Sequence, residues 1–268
     1  MNAWLGETEL VSNLSWHLVD TVVLHARCAD GDVIVKAAGP ANHHIGREIA
    51  AHRAVTTPLI SAHRTSRMLH ADEDLHVFVL EYQPGILVQG SGHDLSPDVH
   101  RQAGEMLRLI HEAQPPRRDE EYVSSLVSRS MRWLEANHRI DPADERAARG
   151  VLDSVSPKAV DLVPTHGDWH ARNWLIDGNR VTAIDFGRYA RRTRSSDFCR
   201  LAVKEWRAAP SLERAFLDGY GADPRVADVW HLELLCEAIG TAAWARQVGD
   251  GAFEARGLRH VSEALEMF

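Results

Sequence analysis

The sequence predicts an α+β chain built as two lobes, a β-rich N-terminal lobe and a mainly helical C-terminal lobe. Three observations carry that expectation. Short β-branched runs dominate the first part of the chain. Segments with apolar residues at helical spacing fill most of the remainder. Between them, Tyr82-Gln83-Pro84-Gly85 ends a strand-like run with proline and glycine. The lobes are therefore expected at residues 1–83 and 84–268.

Thr21–Arg27 and Asp32–Ala37 read as strands, joined across Asp30-Gly31, a hairpin signal. Ile45–Val55 carries helical periodicity. Two more strands are expected at Ser66–His70 and His76–Glu81. Ser96-Pro97-Asp98 opens a helix to Ala113, with serine as cap and proline in the first turn. Further helices are expected over Glu121–His138 and Pro142–Val155. Two short strands, Trp174–Asp177 and Arg180–Ile184, come next. Helices over Ser195–Arg207, Ser211–Gly219, Arg225–Val248 and Ala252–Met267 complete the reading. No internal repeat or low-complexity tract interrupts it.

Composition narrows the function classes. A chain of 268 residues, 44% hydrophobic, buries a real core in one large domain or two smaller lobes. No apolar run approaches the roughly 18 residues of a membrane span, and the first residues lack a signal-peptide pattern. Cys28, Cys199 and Cys236 have neither metal-site spacing nor a disulfide framework, so a reducing cytoplasm is expected. The net charge of −8 argues against nucleic acid as a partner and favours a cationic small molecule. Nothing in the composition fixes the oligomeric state.

The most informative stretch is residues 165–188, T-H-G-D-W-H-A-R-N-W-L-I-D-G-N-R-V-T-A-I-D-F-G-R. It places Asp168 and Asn173 five positions apart on one loop and ends a short apolar run with Asp185. Phosphoryl transfer from Mg-ATP needs this set. One carboxylate orients the attacking hydroxyl and accepts its proton, while an amide oxygen and a second carboxylate hold Mg²⁺. His166 and His170 stand four apart, but Gly167 and Pro164 oppose the helix that a zinc pair at that spacing needs. Lysine is rare, only Lys36, Lys158 and Lys204, which makes Lys36 at the end of V-I-V-K conspicuous.

With H-G-D-x-x-x-x-N, I-D-F-G and V-I-V-K in this order, the chain resembles the aminoglycoside phosphotransferase and choline-kinase-like family. That family has the bilobal protein-kinase-like fold, and the resemblance spans nearly the whole chain. It implies that Asp168 is the catalytic base or hydroxyl-orienting group, that His166 and Gly167 shape its loop, and that Asn173 and Asp185 are the Mg²⁺ ligands. It further implies that Lys36 contacts nucleotide phosphates and that Glu48 fixes its charge. The adenine edge would meet the Glu81 carbonyl and the Gln83 amide. The covering loop departs from protein kinases, because V-S-N-L-S-W-H-L-V-D has no glycine. Ser12, Asn13 and Ser15 are its candidate phosphate donors, and the choice between ATP and GTP stays open. Asp197, twelve residues after Asp185, resembles the family's acid at the next helix start and is expected to be structural. No A-P-E follows the D-F-G, which favours a small-molecule acceptor over a protein.

The acceptor is expected near the C-terminal helices, where Trp230, Glu233 and Glu237 share a helical stripe. Phe268, through its carboxylate, is a further candidate. The reading is an O-phosphotransferase acting on a cationic molecule, an antibiotic such as an aminoglycoside. The alternatives are a metabolic kinase for choline, a sugar or homoserine, and a nucleotide-binding regulator without catalysis.

Overall fold

The structure is a computed structural model that describes residues 2–16 and 20–268. In chain order its elements are α1 (Asn2–Leu5), β1 (Glu9–Asn13), β2 (Val22–Cys28), β3 (Gly31–Ala37), α2 (His44–Ala54), α3 (Thr57–Ser61), β4 (Met68–Asp72), β5 (Val77–Glu81) and β6 (Ile86–Leu87). There follow α4 (Pro97–Glu112), β7 (Arg117–Asp119), α5 (Tyr122–Glu135), α6 (Pro142–Ser154), β8 (Val160–Thr165), β9 (Trp174–Asp177), β10 (Arg180–Ala183) and β11 (Ala190–Arg192). The chain closes with α7 (Cys199–Leu201), α8 (Pro210–Tyr220), α9 (Ala227–Val248) and α10 (Gly251–Leu265). No helix among the described residues is long and apolar enough to cross a membrane.

Two compact units emerge. The first comprises Met1–Pro115, Pro164–Arg191 and Lys204–Ala222; the second comprises Pro116–Val163, Arg192–Val203 and Asp223–Phe268. Within unit 1 the segment before β4 is stitched to β10. Thr65 Oγ1 donates to the Ala183 carbonyl at 2.7 Å, and the Ala183 amide donates to the Arg64 carbonyl at 2.8 Å.

Unit 1 is organised by an antiparallel sheet in the order β1-β2-β3-β5-β4. The β2–β3 hairpin closes at the Cys28–Gly31 pair, so the turn falls on Ala29-Asp30 and Gly31 adopts φ 120°. Strand alternation then assigns the two faces of β3. Val33 and Val35 pack with Ala26 and Val79 on one side. Ile34 packs on the other, against Ile45 and Ile49 of α2 with Phe78 and Leu80 of β5. Lys36 shares the parity of Ile34, which places it beneath α2. The buried positions of α2 include Ile45, Glu48, Ile49 and His52, one helical stripe, so Glu48 lies on the inward face. Just ahead of β6, Gly85 takes φ 127°, and a Cβ there would stand 2.7 Å from the Ile176 carbonyl oxygen. Helices α4 and α8 touch backbone to backbone: a Cβ on Gly219 would fall 1.9 Å from the Arg101 carbonyl oxygen.

Two expectations are corrected. The Ser96 side chain makes no cap hydrogen bond at the start of α4. The continuous helix expected over 195–207 is instead a 3₁₀ segment Arg194–Phe198, the short α7, and a π turn Ala202–Trp206. Unit 2 packs α9 against α5 and α10, with β7 paired antiparallel to β8. Buried residues of α9 fall on all its faces rather than on one stripe.

Candidate active site

All the residues expected to handle nucleotide, metal and proton fall in unit 1. The Lys36 ammonium donates to both carboxylate oxygens of Glu48 at 2.8 Å and to Asp185 Oδ1 at 3.3 Å. Lys36 and Glu48 are buried, whereas the Asp185 side chain keeps 46% of its exposure. Burial alone would push the Lys36 pKa down; Asp185 and Glu48 outweigh it and hold the ammonium above its ordinary value. Burial pushes the Glu48 carboxyl up, opposed by Lys36. The Asp185 carboxyl is held below its ordinary range, chiefly by the Lys36 charge.

Helix α2 grips the D-F-G segment at two further points. His44 Nδ1 lies 2.8 Å from the Gly187 carbonyl oxygen, and the Phe186 amide donates to Glu48. Phe186 is fully buried between the rings of His52 and His166. Asp185 adopts φ 65°, a left-handed conformation uncommon for a residue with a side chain. A Cβ on Gly187 would lie 3.3 Å from both Asp185 Oδ1 and His44 Cβ. His44, Phe186 and Gly187 therefore fix the metal-ligand candidate. Of these, only the D-F-G pattern carried a sequence signal; His44 carried none.

The loop holding Asp168 is fixed from inside. Gly167 takes φ 82°, which turns the chain sharply ahead of Asp168. His166 is fully buried and bridges two segments: its Nδ1 accepts from the Asp168 amide at 3.3 Å, and its Nε2 meets the Ile184 carbonyl oxygen at 3.0 Å. That pattern requires the proton on Nε2. Asn173 Nδ2 donates to the Asp168 carbonyl at 2.8 Å, and the Asn173 carbonyl accepts from the Ile184 amide at 3.0 Å. The same assignment leaves Asn173 Oδ1 as an oxygen donor. Two basic side chains flank the Asp168 carboxylate: His170 Nε2 stands 3.3 Å from Oδ1 and Arg188 Nε 4.0 Å from Oδ2. Neither neighbour was singled out as catalytic from the sequence. Among the described residues, no group of three or more His, Cys, Asp or Glu side chains is placed to hold a metal. Asn173 with Asp185 is a two-oxygen set, suited to a hard divalent ion that completes its shell with phosphate and water oxygens.

At the strand end, the Glu81 amide donates to the Arg67 carbonyl and the Tyr82 amide to the Asp32 carbonyl. The Gln83 amide has no such bond among the described residues. The Glu81 side chain is an exposed partner of Arg67. Ser12 lies in β1 opposite His25. Ser15 Oγ accepts from the Val23 amide at 2.9 Å, so that hydroxyl already serves the sheet edge. His17, Leu18 and Val19 of the expected covering loop lie outside the described residues.

In unit 2 Trp230 and Glu233 of the expected acceptor stripe turn inward, while the Glu237 side chain stays 40% exposed. Glu233 is 3% exposed, and its carboxylate accepts from the hydroxyls of Tyr122 (2.9 Å), Thr193 and Ser195 (2.6 Å). Burial raises its pKa against those three donors. Trp230 is buried under the Arg225 guanidinium, 5.4 Å from the ring centroid. Glu237 is paired with Arg200 at 2.9 Å. Trp230 and Glu233 therefore form an internal tie, and a buried acid such as Glu233 must find protein donors. Phe268 is exposed, with its ring edge-on to His231.

The profile of the phosphotransferase enzyme family matches residues 11–230. No curated protein sequence matches the chain. Among solved structures, aminoglycoside phosphotransferase APH(4)-Ia superposes with a TM-score of 0.74 at 12% identity, over 99% of this chain and 96% of that one. Choline kinase LicA from Streptococcus pneumoniae superposes at 0.69 with 15% identity, over 98% and 94%. Macrolide 2'-phosphotransferase MphH from Brachybacterium faecium superposes at 0.62 with 18% identity, over 95% and 91%. At such identities the likeness establishes the kinase-like fold. With the family profile covering most of its length, the chain belongs to the phosphotransferase enzyme family and is a small-molecule phosphotransferase.

Proposed function

We propose that the chain transfers the γ-phosphoryl group of Mg-ATP to a hydroxyl of a small cationic molecule, with antibiotics of the aminoglycoside type as the first substrates to test. The observation that carries the reading is the assembly of Lys36, Glu48, Asp168, Asn173 and Asp185 within one compact unit. A relative of this fold has been solved with ADP and hygromycin B. The net charge of −8 also favours a cation. The reaction is placed in the cytoplasm, consistent with three free cysteines.

In this reading Asp168 orients the acceptor hydroxyl and takes its proton as the oxygen attacks the γ-phosphorus. The bond to the β,γ-bridging oxygen breaks as the new O–P bond forms. Lys36, aligned by Glu48, holds the nucleotide phosphates in line. Arg188 and His170 flank the Asp168 carboxylate and orient it. Asn173 Oδ1 and Asp185 would hold Mg²⁺, which supplies charge neutralisation on the phosphates. The free Gln83 amide and the Glu81 carbonyl would meet the adenine edge. Catalysis of this kind is positioning and electrostatics, without a covalent enzyme intermediate.

A metabolic acceptor is the second reading. The inward turn of Glu233 favours it, because that carboxylate is no longer available to pair with a polycation. Mass spectrometry of a panel incubated with Mg-ATP tests both readings. The panel holds aminoglycosides, macrolides, choline, homoserine and sugars. The expected result is one product heavier by a single phosphoryl group. Its formation should slow by about 10²–10⁴ in Asp168→Ala, with nucleotide binding retained. No product from any class, or a product made equally fast by Asp168→Ala, refutes the proposal.

A further inference from the structure

A cleft of about 450 Å³ in unit 1 is lined by Arg64, Gln102, Asp177, Asn179 and Arg180, none of them a candidate active-site residue. Its floor is built by Gln102, which is 6% exposed and has both ends of its amide engaged. The Gln102 Nε2 donates to Asp98 Oδ2 at 2.8 Å and to the Asn179 carbonyl at 2.9 Å. Its Oε1 accepts from Arg64 Nη1 at 2.6 Å and from the Val181 amide at 3.1 Å. The β9–β10 turn is thereby pinned to α4, and one edge of the Arg64 fork is fixed.

The charges on this cleft are unmatched. Arg64 is half-buried, and its two protein partners, Gln102 Oε1 and the Val181 carbonyl at 3.0 Å, are both neutral and both reached through Nη1. Its Nε and Nη2 have no partner among the described residues. Burial and the nearby Arg180 and Arg101 charges lower its proton affinity, against Glu105 and Asp98. Arg101 is itself spent on Asp98 and Glu105. The exposed Arg180 guanidinium forms no ion pair among the described residues, nor does the Asp177 carboxylate. The lining thus carries one net positive charge. A guanidinium taken partly out of water with only neutral partners gains from an anion that its open edge can bind bidentately. One fork satisfies a carboxylate. Two forks on one cleft suit a tetrahedral group with oxygens to spare.

We propose that this cleft is an oxyanion site for a phosphate group, free or carried on a small organic molecule, held between Arg64 and Arg180 over the Gln102 floor. The site is independent of the transfer chemistry proposed above and stands or falls without it.

Isothermal titration of the full chain with inorganic phosphate, and separately with glycerol phosphate, tests it without nucleotide or acceptor present. Each titration is repeated on Arg180→Ala, Arg64→Ala and Lys36→Ala. Arg180 is exposed and unpaired, so its variant keeps the fold even if Arg64→Ala does not. The expected result is one phosphate bound with Kd on the order of 1 mM or tighter, weakened about fivefold or more in Arg180→Ala and unchanged in Lys36→Ala. Tighter binding of glycerol phosphate than of phosphate assigns the site to phosphorylated organic molecules; equal binding assigns it to free phosphate. Binding lost in Lys36→Ala but kept in Arg180→Ala, binding indifferent to both, or no binding at all overturns the proposal.

Discussion

Glu48→Gln keeps the shape of the α2 side chain and removes its charge, leaving Lys36 buried with less to balance it. Both carboxylate oxygens of Glu48 sit 2.8 Å from the ammonium, and both side chains are almost fully enclosed. Removing one partner of a buried, hydrogen-bonded pair costs about 3–5 kcal/mol. Asp185, 3.3 Å from the same ammonium, retains a countercharge, so the lower end of about 3 kcal/mol applies. The same substitution frees Lys36 to swing onto Asp185, drawing together the cation proposed to bind phosphate and the carboxylate proposed to hold the metal. A shift near 1 Å at such a centre costs about 10² in turnover. Urea unfolding followed by tryptophan fluorescence reads the first effect, and steady-state kinetics the second. A double-mutant cycle with Lys36→Met isolates the pair. A stability loss below about 0.5 kcal/mol with turnover intact would refute the argument, because the pair would then be neither buried nor organising.

Three more outcomes are expected. His52 is buried with neither ring nitrogen hydrogen-bonded, and burial lowers its pKa from 6.5 to about 3. A depressed folded pKa means its stability contribution is whole above pH 6.5 and is lost as pH falls toward 3; between pH 7.5 and 5 the loss is about 2 kcal/mol. His52→Leu should flatten that slope in denaturation curves, and parallel curves would contradict it. Glu233→Ala should lower stability by about 3 kcal/mol by stranding three hydroxyls, while acceptor KM stays within about twofold; a tenfold rise in KM would return Glu233 to the substrate. Gly219→Ala forces α4 and α8 apart and should cost about 3 kcal/mol, roughly 6–12 °C in Tm by calorimetry; an unchanged Tm would mean the contact is not made.

The site was legible wherever chemistry is written into short spacings. Asp168, Asn173 and Asp185 lie within eighteen residues of one another, and Lys36 stands out as one of three lysines, at the end of the V-I-V-K run. What stayed hidden depends on contacts distant in sequence. His44 reaches Gly187 across 143 positions, and Arg188 approaches Asp168 only after the loop is folded. Edge strands β1, β6, β7 and β11 are short and lack alternation, so periodicity passes over them. The acceptor stripe is less legible for another reason. Trp230, Glu233 and Glu237 share a helix face, but spacing does not say whether that face meets solvent or protein. Apolar residues all around α9 were the available signal that it is enclosed.

The grip of α2 on the D-F-G segment has a kinetic consequence. His44, Glu48 and Lys36 tie the helix to Gly187, Phe186 and Asp185, so neither segment detaches without the other. The protected amides of His44–Ala54 and that of Phe186 should exchange with deuterium through one shared opening, at one rate, as a single cooperative unit. In the proposed reaction the candidate metal-ligand carboxylate of Asp185 then has no intermediate posture: it is aligned for as long as the helix is docked, and lost whenever the helix leaves.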